Sequence, residues 1–226
     1  MAPRMSSVSV IIPTLNEEEW IAGAVESAFA AGANEVIVAD GGSDDRTTRK
    51  ATAAGARVLL TERMRAKQSN LGAHAASHSN LIFLHADTHL PAGAAEAVEH
   101  ALQRADFGGF RIRFLEASRG LTFAAAAINL RTRISRCPWG DQAQFIRRET
   151  FLEVGGFREM PLMEDYELAV RMKRRGLTTI LPMTVTTSGR RFLRKGLVRT
   201  AAHNWRTVIR YRLGADVDDL ARSYRR

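Results

Sequence analysis

The sequence predicts an α/β fold built on a mostly parallel sheet, and three observations predict it. Short apolar runs of strand length alternate with amphipathic stretches of helical spacing from Val8 to about Arg104, the pattern of parallel strands joined by right-handed helical crossovers. Two of those runs end in acids: Val36-Ile37-Val38-Ala39 leads into Asp40-Gly41-Gly42-Ser43-Asp44-Asp45, and Leu81-Ile82-Phe83-Leu84 into His85-Ala86-Asp87-Thr88. The carboxyl ends of parallel strands open onto a crevice, so two acid-bearing strand ends define one polar site. From Phe107 the pattern changes to Gly108-Gly109-Phe110-Arg111-Ile112-Arg113-Phe114, alternating apolar and basic as a half-exposed antiparallel strand does.

Taken in order, Val8 to Ile12 is a β-rich run that Pro13, lacking an N–H, is expected to close. Asn16 then stands as N-cap of a helix whose first turn holds Glu17, Glu18 and Glu19, with Trp20/Ile21, Ala24/Val25 and Ala28/Phe29 at helical spacing. The second strand, Val36 to Ala39, precedes a helix from about Asp44 to Ala54 ended by Gly55. A strand at Arg57 to Leu60, a helix around Ala66 to Ser77 and the strand Leu81 to Leu84 follow, then a helix after Pro91 to Arg104. Gln144-Phe145-Ile146 reads as a strand, and Glu164 opens an amphipathic helix with Leu168, Ala169 and Met172 on its apolar side. Near the C-terminus Leu197, Ala201, Trp205, Val208, Ile209 and Leu213 form an apolar stripe flanked by Arg199, Arg206, Arg210 and Arg212.

At 226 residues the chain is long enough to bury a full core. Its single cysteine, Cys137, excludes a disulfide framework, leaves structural zinc without its usual ligands and reads as a small buried hydrophobe. Met1 to Ser7 holds no apolar segment of the kind that marks a secretory signal, and the alanine-rich stretch Leu121 to Leu130 is far short of the roughly 20 apolar residues of a membrane span. The net charge of +9 gathers from Arg171 onward, which fits a nucleic acid, a phospholipid surface, a phosphorylated substrate or a merely solvated basic face.

Several polar groups carry candidate chemistry. Asp40 is placed to accept hydrogen bonds from a base imide or a ribose hydroxyl, with Gly41 and Gly42 letting backbone approach a ligand, and the bland alternative is a tight turn with Asp44 capping the next helix. Asp87 suits a hard cation, which takes only one or two protein carboxylates and completes its shell with water and phosphate oxygens, and His85 and His89 flank it. Arg63, Arg65, Lys67, Gln68 and Asn70 offer a diphosphate charge-assisted bonds or form an exposed basic helix start. In Trp139-Gly140-Asp141-Gln142 a tryptophan stands among polar side chains, as in a sugar-stacking site or a turn over one buried indole. Glu164-Asp165 is either a pair of helix-dipole partners or contains a general base aimed into a cleft.

Set in order, the motifs resemble those of the family 2 glycosyltransferases. The residues that carry the likeness are Ile11 to Glu17, Val38 to Thr47, a turn centred on Gly72, Leu84 to Thr88, Gly155-Gly156-Phe157 and Glu164 to Leu168, covering about residues 8 to 195. The resemblance implies a GT-A fold, a Rossmann-like mostly parallel sheet flanked by helices with an antiparallel acceptor-side portion and C-terminal helices. It implies a single domain over residues 1–226: a nucleotide-binding half at 8–88, an acceptor and catalytic half at 89–195, and a basic amphipathic helical tail at 196–226. Its implied reaction is inverting, metal-assisted transfer of a sugar from a nucleoside diphosphate, of pyrimidine type, to an acceptor hydroxyl. Pro13, Thr14, Glu17 and Asp40 would surround the nucleoside, with Asp40 on the base. Asp87 would be the metal-binding acid of a D-x-D motif whose first acid is here His85, the ion being Mn2+ or Mg2+.

Asp165 would be the catalytic base, with Glu164 beside it, while Arg65, Lys67 and Arg191 neutralise the leaving diphosphate and Trp139, Asp141 and Gln142 face the donor sugar or acceptor. Arg190-Arg191-Phe192 is similar to the Q-x-x-R-W element of processive members, with Ser188 and Phe192 at the glutamine and tryptophan positions, a departure that weighs against polysaccharide synthesis. The reading places the protein in the cytoplasm, peripheral to the inner face of the plasma membrane if its C-terminal helix binds lipid. Its expected partners are a nucleotide-sugar and an acceptor that the sequence does not name, a lipid-linked one being among the candidates, with no nucleic acid and a homodimer left open. The competing reading is a GT-A-like nucleotide-binding or regulatory protein without turnover, which His85 favours and the intact acid pair opposes. A nucleotidyltransferase is disfavoured because no glycine-rich loop follows the first strand.

Overall fold

A computed structural model describes residues 7–225; the remainder of the N-terminal lead-in, residues 1–6, and Arg226 lie outside the described residues. The elements are β1 (Val8–Thr14), α1 (Ile21–Ala30), β2 (Glu35–Asp40), α2 (Thr47–Ala53), β3 (Arg57–Leu60), α3 (Arg65–Ala75), β4 (Asn80–Phe83), β5 (Thr88–His89), α4 (Ala94–Ala101), β6 (Phe107–Phe114), α5 (Arg119–Ser135), β7 (Gln144–Arg147), α6 (Arg148–Glu153), α7 (Glu164–Arg175), β8 (Thr178–Thr187), α8 (Arg190–Lys195), α9 (Leu197–Arg212) and α10 (Val217–Arg225). One sheet of order β3-β2-β1-β4-β7-β6-β8-β5 runs through the molecule. The strands β3, β2, β1 and β4 are parallel neighbours, as the strand-helix alternation requires.

The two faces of β1 sort by the period-2 rule. Val8, Val10 and Ile12 pack with Val36, Val38 and the buried side of α1, whereas Ile11 joins Ile37, Leu81 and Phe83 under α3 and α7. Ile11 also explains Gly72. A Cβ there would stand 2.5 Å from Ile11 Cγ2, so α3 lies against β1 only because residue 72 has no side chain. The expected turn at Gly72 is therefore the interior of α3, where close packing outweighs glycine's helix cost of about 1 kcal/mol.

Other expectations are corrected. Pro13 does not end β1, which continues to Thr14 in register with β2. The ladder between β1 and β4 stops at Ile11 and Phe83, so the side on which proline lacks an N–H has no strand to serve. Asn16 is not a helix cap: it adopts φ 53°, and its side chain accepts from the Asp44 amide while its own amide donates to Ser43 Oγ. Glu17 to Trp20 form a turn instead, and α1 starts at Ile21. The acid anchoring α2 is Asp45, whose Oδ1 accepts from the Thr47 amide at 2.8 Å, rather than Asp44.

β6 also departs from expectation. It is antiparallel to β7 over two residue pairs, but its long partner is β8, which runs parallel with a register shift at Phe110/Arg111. Its first half is wholly buried and only its second half alternates. The C-terminal stripe is split as well. Val208 is buried, while Trp205, Ile209 and Leu213 are exposed on another side of α9.

Candidate functional site

The topology brings five chain segments to one edge. β1 and β4 end there; β7 is antiparallel to β4, so its lead-in, the 3-10 turn Gly140–Gln142, starts there; and β6 and β8 both finish there. Thr88 Oγ1 and Thr187 Oγ1 share a 2.8 Å bond, and the Ser188 amide donates to the Asp87 carbonyl at 3.1 Å, which ties the end of β8 to the loop after β4. Glu116 then accepts from the Gly189 amide at 2.6 Å and from Ser188 Oγ at 2.9 Å, fixing the start of α8.

Two cavities open along this edge. One of about 470 Å³ is floored by Pro13, Thr14 and Glu17, with Arg63 at its side. The other, of about 290 Å³, is bounded by Trp139, Asp141, Asp165 and Arg191. Arg65, His85, Asp87, Glu164, Arg190 and Tyr224 line both. Thr14 Oγ1 is buried without a hydrogen-bond partner among the described residues, an acceptor and donor left to a ligand.

Where the cavities meet, the charges interlock. Arg190 closes a fork on Glu17 with bonds of 2.9 and 2.6 Å and lies 3.1 Å from Asp87 Oδ2. Arg65 stands 3.6 Å from Glu164 Oε1, and that oxygen makes no hydrogen bond among the described residues. Burial raises the carboxyls of Asp87 and Glu164, opposed by Arg190 at the first and Arg65 at the second. Burial, reinforced by Arg65 and Arg190, pushes the His85 imidazole down to about 3, so it is uncharged at neutral pH.

The acid pair opens α7. Asp165 Oδ2 accepts from the Gly140 amide at 2.6 Å and Oδ1 from the Tyr166 amide at 2.7 Å, so two backbone donors orient a carboxylate that has about four acceptor positions. A Cβ on Gly140 would lie 2.8 Å from His85 Nε2 and 2.9 Å from Asp165 Oδ2, so only glycine admits both groups. Asp141 Oδ1 is buried without a hydrogen-bond partner among the described residues, and burial lifts that carboxyl to about 6 against the pull of Arg131. The Arg131 guanidinium lies 3.5 Å from the Trp139 ring centre and covers one face of the indole.

Not every expected residue reaches the cleft. The Asp40 carboxylate is fully buried and accepts from the Gly42 and Ser43 amides at 2.9 and 2.8 Å and from Ser43 Oγ at 2.5 Å, so it builds its own turn, with Gly42 at φ 89°. Lys67 points to Glu62 at 2.5 Å and Glu159 at 3.9 Å, outside both cavities, because the position just before Gln68 on α3 turns toward solvent, whereas Gln68 and Ser69 face the sheet. Gln68 itself bridges the Thr14 and Ala39 carbonyls, and Asn70 clasps the Phe157 backbone. Gln142 is fully buried, donating to the Phe110 carbonyl and accepting from Thr132, which makes it a strut rather than a sugar contact. Conversely, Arg190 and Tyr224 line both cavities without having been chosen from the sequence. The signal for the first is its place in Arg190-Arg191-Phe192, the stretch similar to the Q-x-x-R-W element, and for the second a lone aromatic in the last helix.

Among the described residues no three His, Cys, Asp or Glu side chains converge as a preformed metal cage. The donor set still fits a hard cation carried by phosphate oxygens, since one carboxylate, Asp87, and one uncharged imidazole, His85, line the same cavity. No helix among the described residues is long and apolar enough to cross a membrane.

Comparison with known proteins bears on this geometry. Residues 9–160 match the sequence profile of Glycosyl transferase family 2. A 59-residue stretch is 44% identical to glucosyl-3-phosphoglycerate synthase of Mycolicibacterium smegmatis, covering 25% of this chain and 20% of that protein. Glucosyl-3-phosphoglycerate synthase from Mycobacterium tuberculosis, in complex with Mn2+, uridine diphosphate and phosphoglyceric acid, superposes with a TM-score of 0.56 at 21% identity over 80% of this chain and 69% of its own. S. aureus TarS 1-349 in complex with UDP-GlcNAc gives a TM-score of 0.63 at 16% identity, over 80% of this chain and 58% of its own. At these identities the structural likeness is one of fold.

Proposed function

The chain belongs to Glycosyl transferase family 2, and from that premise we propose that it moves a sugar from a nucleoside diphosphate to an acceptor hydroxyl with inversion. The observation that carries the reading is the arrangement of groups along the cleft: a cavity at the end of β1, the guanidinium groups of Arg65 and Arg190 with Glu164 lining it and the second cavity alike, and Asp165 in the second cavity. In the proposed step Asp165 takes the acceptor proton as the acceptor oxygen bonds to the anomeric carbon. The bond from that carbon to the diphosphate oxygen breaks, and its electron pair leaves on the diphosphate, where Arg65 and Arg190 meet the charge. Both cations are prepositioned by carboxylates, Arg65 by Glu164 and Arg190 by Glu17, so little reorganisation is needed at the moment of transfer.

A divalent cation, when bound, would add charge neutralisation at the diphosphate, held by Asp87 with His85 beside it. The Mn2+ and uridine nucleotides bound by the relatives named above support Mn2+ and a pyrimidine donor for this chain. Thr14 and Glu17 are then the nucleoside contacts, and Asp40 acts by holding the loop that faces them. Trp139 and Asp141 border the sugar and acceptor end. The outward side of α9 supports a peripheral contact with anionic lipid: Val198 is 83% and Leu213 81% exposed, Trp205 and Ile209 are exposed, and Arg199 and Arg206 accompany them, while Arg212 turns inward to the Tyr166 hydroxyl.

Thermal unfolding in the presence of uridine or adenosine diphosphate, with and without Mn2+, tests the reading. A ligand at 100 times its dissociation constant adds about 2.7 kcal/mol to stability. A larger shift with uridine diphosphate, increased by Mn2+, is the expected result; equal shifts with the two nucleotides, or none, contradict the donor assignment.

A further inference from the structure

Beyond Arg191 a separate cavity of about 170 Å³ lies among α8, α9 and α10, lined by Arg191, Lys195, Arg199, Thr200, His203 and Ser223. Three of the six are permanent cations and none is acidic. Of the acids on the neighbouring α10, Asp219 is already engaged by Arg222. Thr200 is 2% exposed, yet its Oγ1 has no hydrogen-bond partner among the described residues, and His203 Nε2 is likewise buried and unpartnered. Unmade bonds of this kind are costly unless a ligand or water makes them. The cavity is also stiffened. The His203 ring lies 5.2 Å from that of Tyr224, and Arg191 stacks on the same tyrosine at 3.8 Å and donates to its hydroxyl. Burial and then the charges of Arg191, Lys195, Arg206 and Arg199 hold the His203 imidazole below its ordinary value, so at neutral pH it offers a neutral ring nitrogen in a cationic pocket.

We propose that this cavity binds a phosphate group, with Arg191, Lys195 and Arg199 facing its oxygens and the Thr200 hydroxyl and His203 imidazole supplying the neutral contacts. A tetrahedral dianion suits the set, because several donors from two helices converge where a planar carboxylate would leave part of them unmet. Arg191 lines this cavity and the candidate active site alike. Granted the transferase reading, a phosphate seated here therefore belongs to the acceptor side, remote from Thr14 and the nucleoside end. The same chemistry is offered by a soluble phosphate monoester and by a lipid headgroup, and the exposed apolar side of α9 lies next to Arg199 and Thr200 in sequence.

The test is calorimetric titration of the full chain with inorganic phosphate and with glycerol phosphate, for the wild type, Lys195→Gln/Arg199→Gln and Thr200→Val. Uridine diphosphate is titrated into the same samples. Saturable phosphate binding by the wild type is expected, weakened about tenfold or more in the double variant and severalfold in Thr200→Val, with uridine diphosphate affinity unchanged. No saturable binding by the wild type, or equal phosphate affinity in all three proteins, overturns the proposal. Loss of uridine diphosphate binding with phosphate binding intact would instead count against the transferase reading. Vesicles of phosphatidylcholine with and without phosphatidic acid separate the two sources. Binding that phosphatidic acid increases and both variants abolish assigns the headgroup, whereas vesicle binding unaffected by the variants, with glycerol phosphate binding lost, assigns the soluble monoester.

Discussion

The Arg190 guanidinium lies 3.1 Å from the Asp87 carboxylate while its other bonds are spent on Glu17. One side chain from the end of the sheet thus occupies the carboxylate that a phosphate-borne cation would use. Removing it has two opposed consequences.

Arg190→Gln frees Asp87 and takes one cation from the leaving diphosphate. Mn2+ binding in the absence of nucleotide, followed by electron paramagnetic resonance, is expected to tighten, while turnover falls about 10²-fold, the scale set by loss of one charge-stabilising donor. Unchanged turnover would remove Arg190 from leaving-group stabilisation.

Chelation is expected to suppress turnover, and Mn2+ or Mg2+ to restore it. Asp87→Ala is expected to make the enzyme insensitive to added cation at a low residual rate. Near-normal activity of that variant in chelator would leave Arg65 and Arg190 as the sole neutralising groups.

The strand-helix order and the crevice edge were legible in the sequence because period and turn residues report on local structure. So was the start of α7 at Glu164, where an acidic first turn precedes Leu168, Ala169 and Met172. What a residue faces was less legible. Asp40 and Gln142 sit in motifs that look ligand-facing, yet the backbone bends around them and absorbs their polar atoms, a long-range outcome for Gln142 with its bond to Phe110. Lys67 meets Glu62 and Glu159 while Arg65 lines the cleft, because a basic run on a helix divides between two faces and only packing decides which side turns inward. Tyr224 escaped notice because nothing local connects the last helix to a site formed mostly by residues before Phe192.

Asp40→Ala is expected to weaken uridine diphosphate binding by at least a few fold through the loop rather than through a lost base contact. Faster hydrogen exchange at the Gly42 and Ser43 amides, which now donate to that carboxylate, checks the route. Slow exchange with lost affinity would return Asp40 to a direct role.

Asp141 gives a pH signature. Burial raises its carboxyl from 3.8 to about 6, so between those values the folded state holds a proton that the unfolded chain releases, and stability falls as pH rises through that window. Asp141→Asn is expected to be more stable than the wild type at pH 7.5 by on the order of 1–3 kcal/mol, the difference closing below about pH 4. Urea unfolding at the two pH values measures it, and equal differences at both contradict the assignment.

For α9, Trp205→Gln with Ile209→Gln is expected to reduce co-sedimentation with anionic vesicles at low salt without altering uridine diphosphate affinity. Wild-type protein that binds anionic and neutral vesicles equally would end the lipid reading.

The central claim is that Asp165, held by the Gly140 and Tyr166 amides, accepts the acceptor proton. Asp165→Asn keeps the shape and removes the proton acceptor, so the decisive measurement is its turnover beside its nucleotide affinity, with Glu164→Gln in parallel. The account predicts turnover lower by roughly 10² or more and nearly unchanged donor binding for Asp165→Asn. Retained turnover in Asp165→Asn contradicts it, and loss in Glu164→Gln alone would transfer the role to the neighbouring acid.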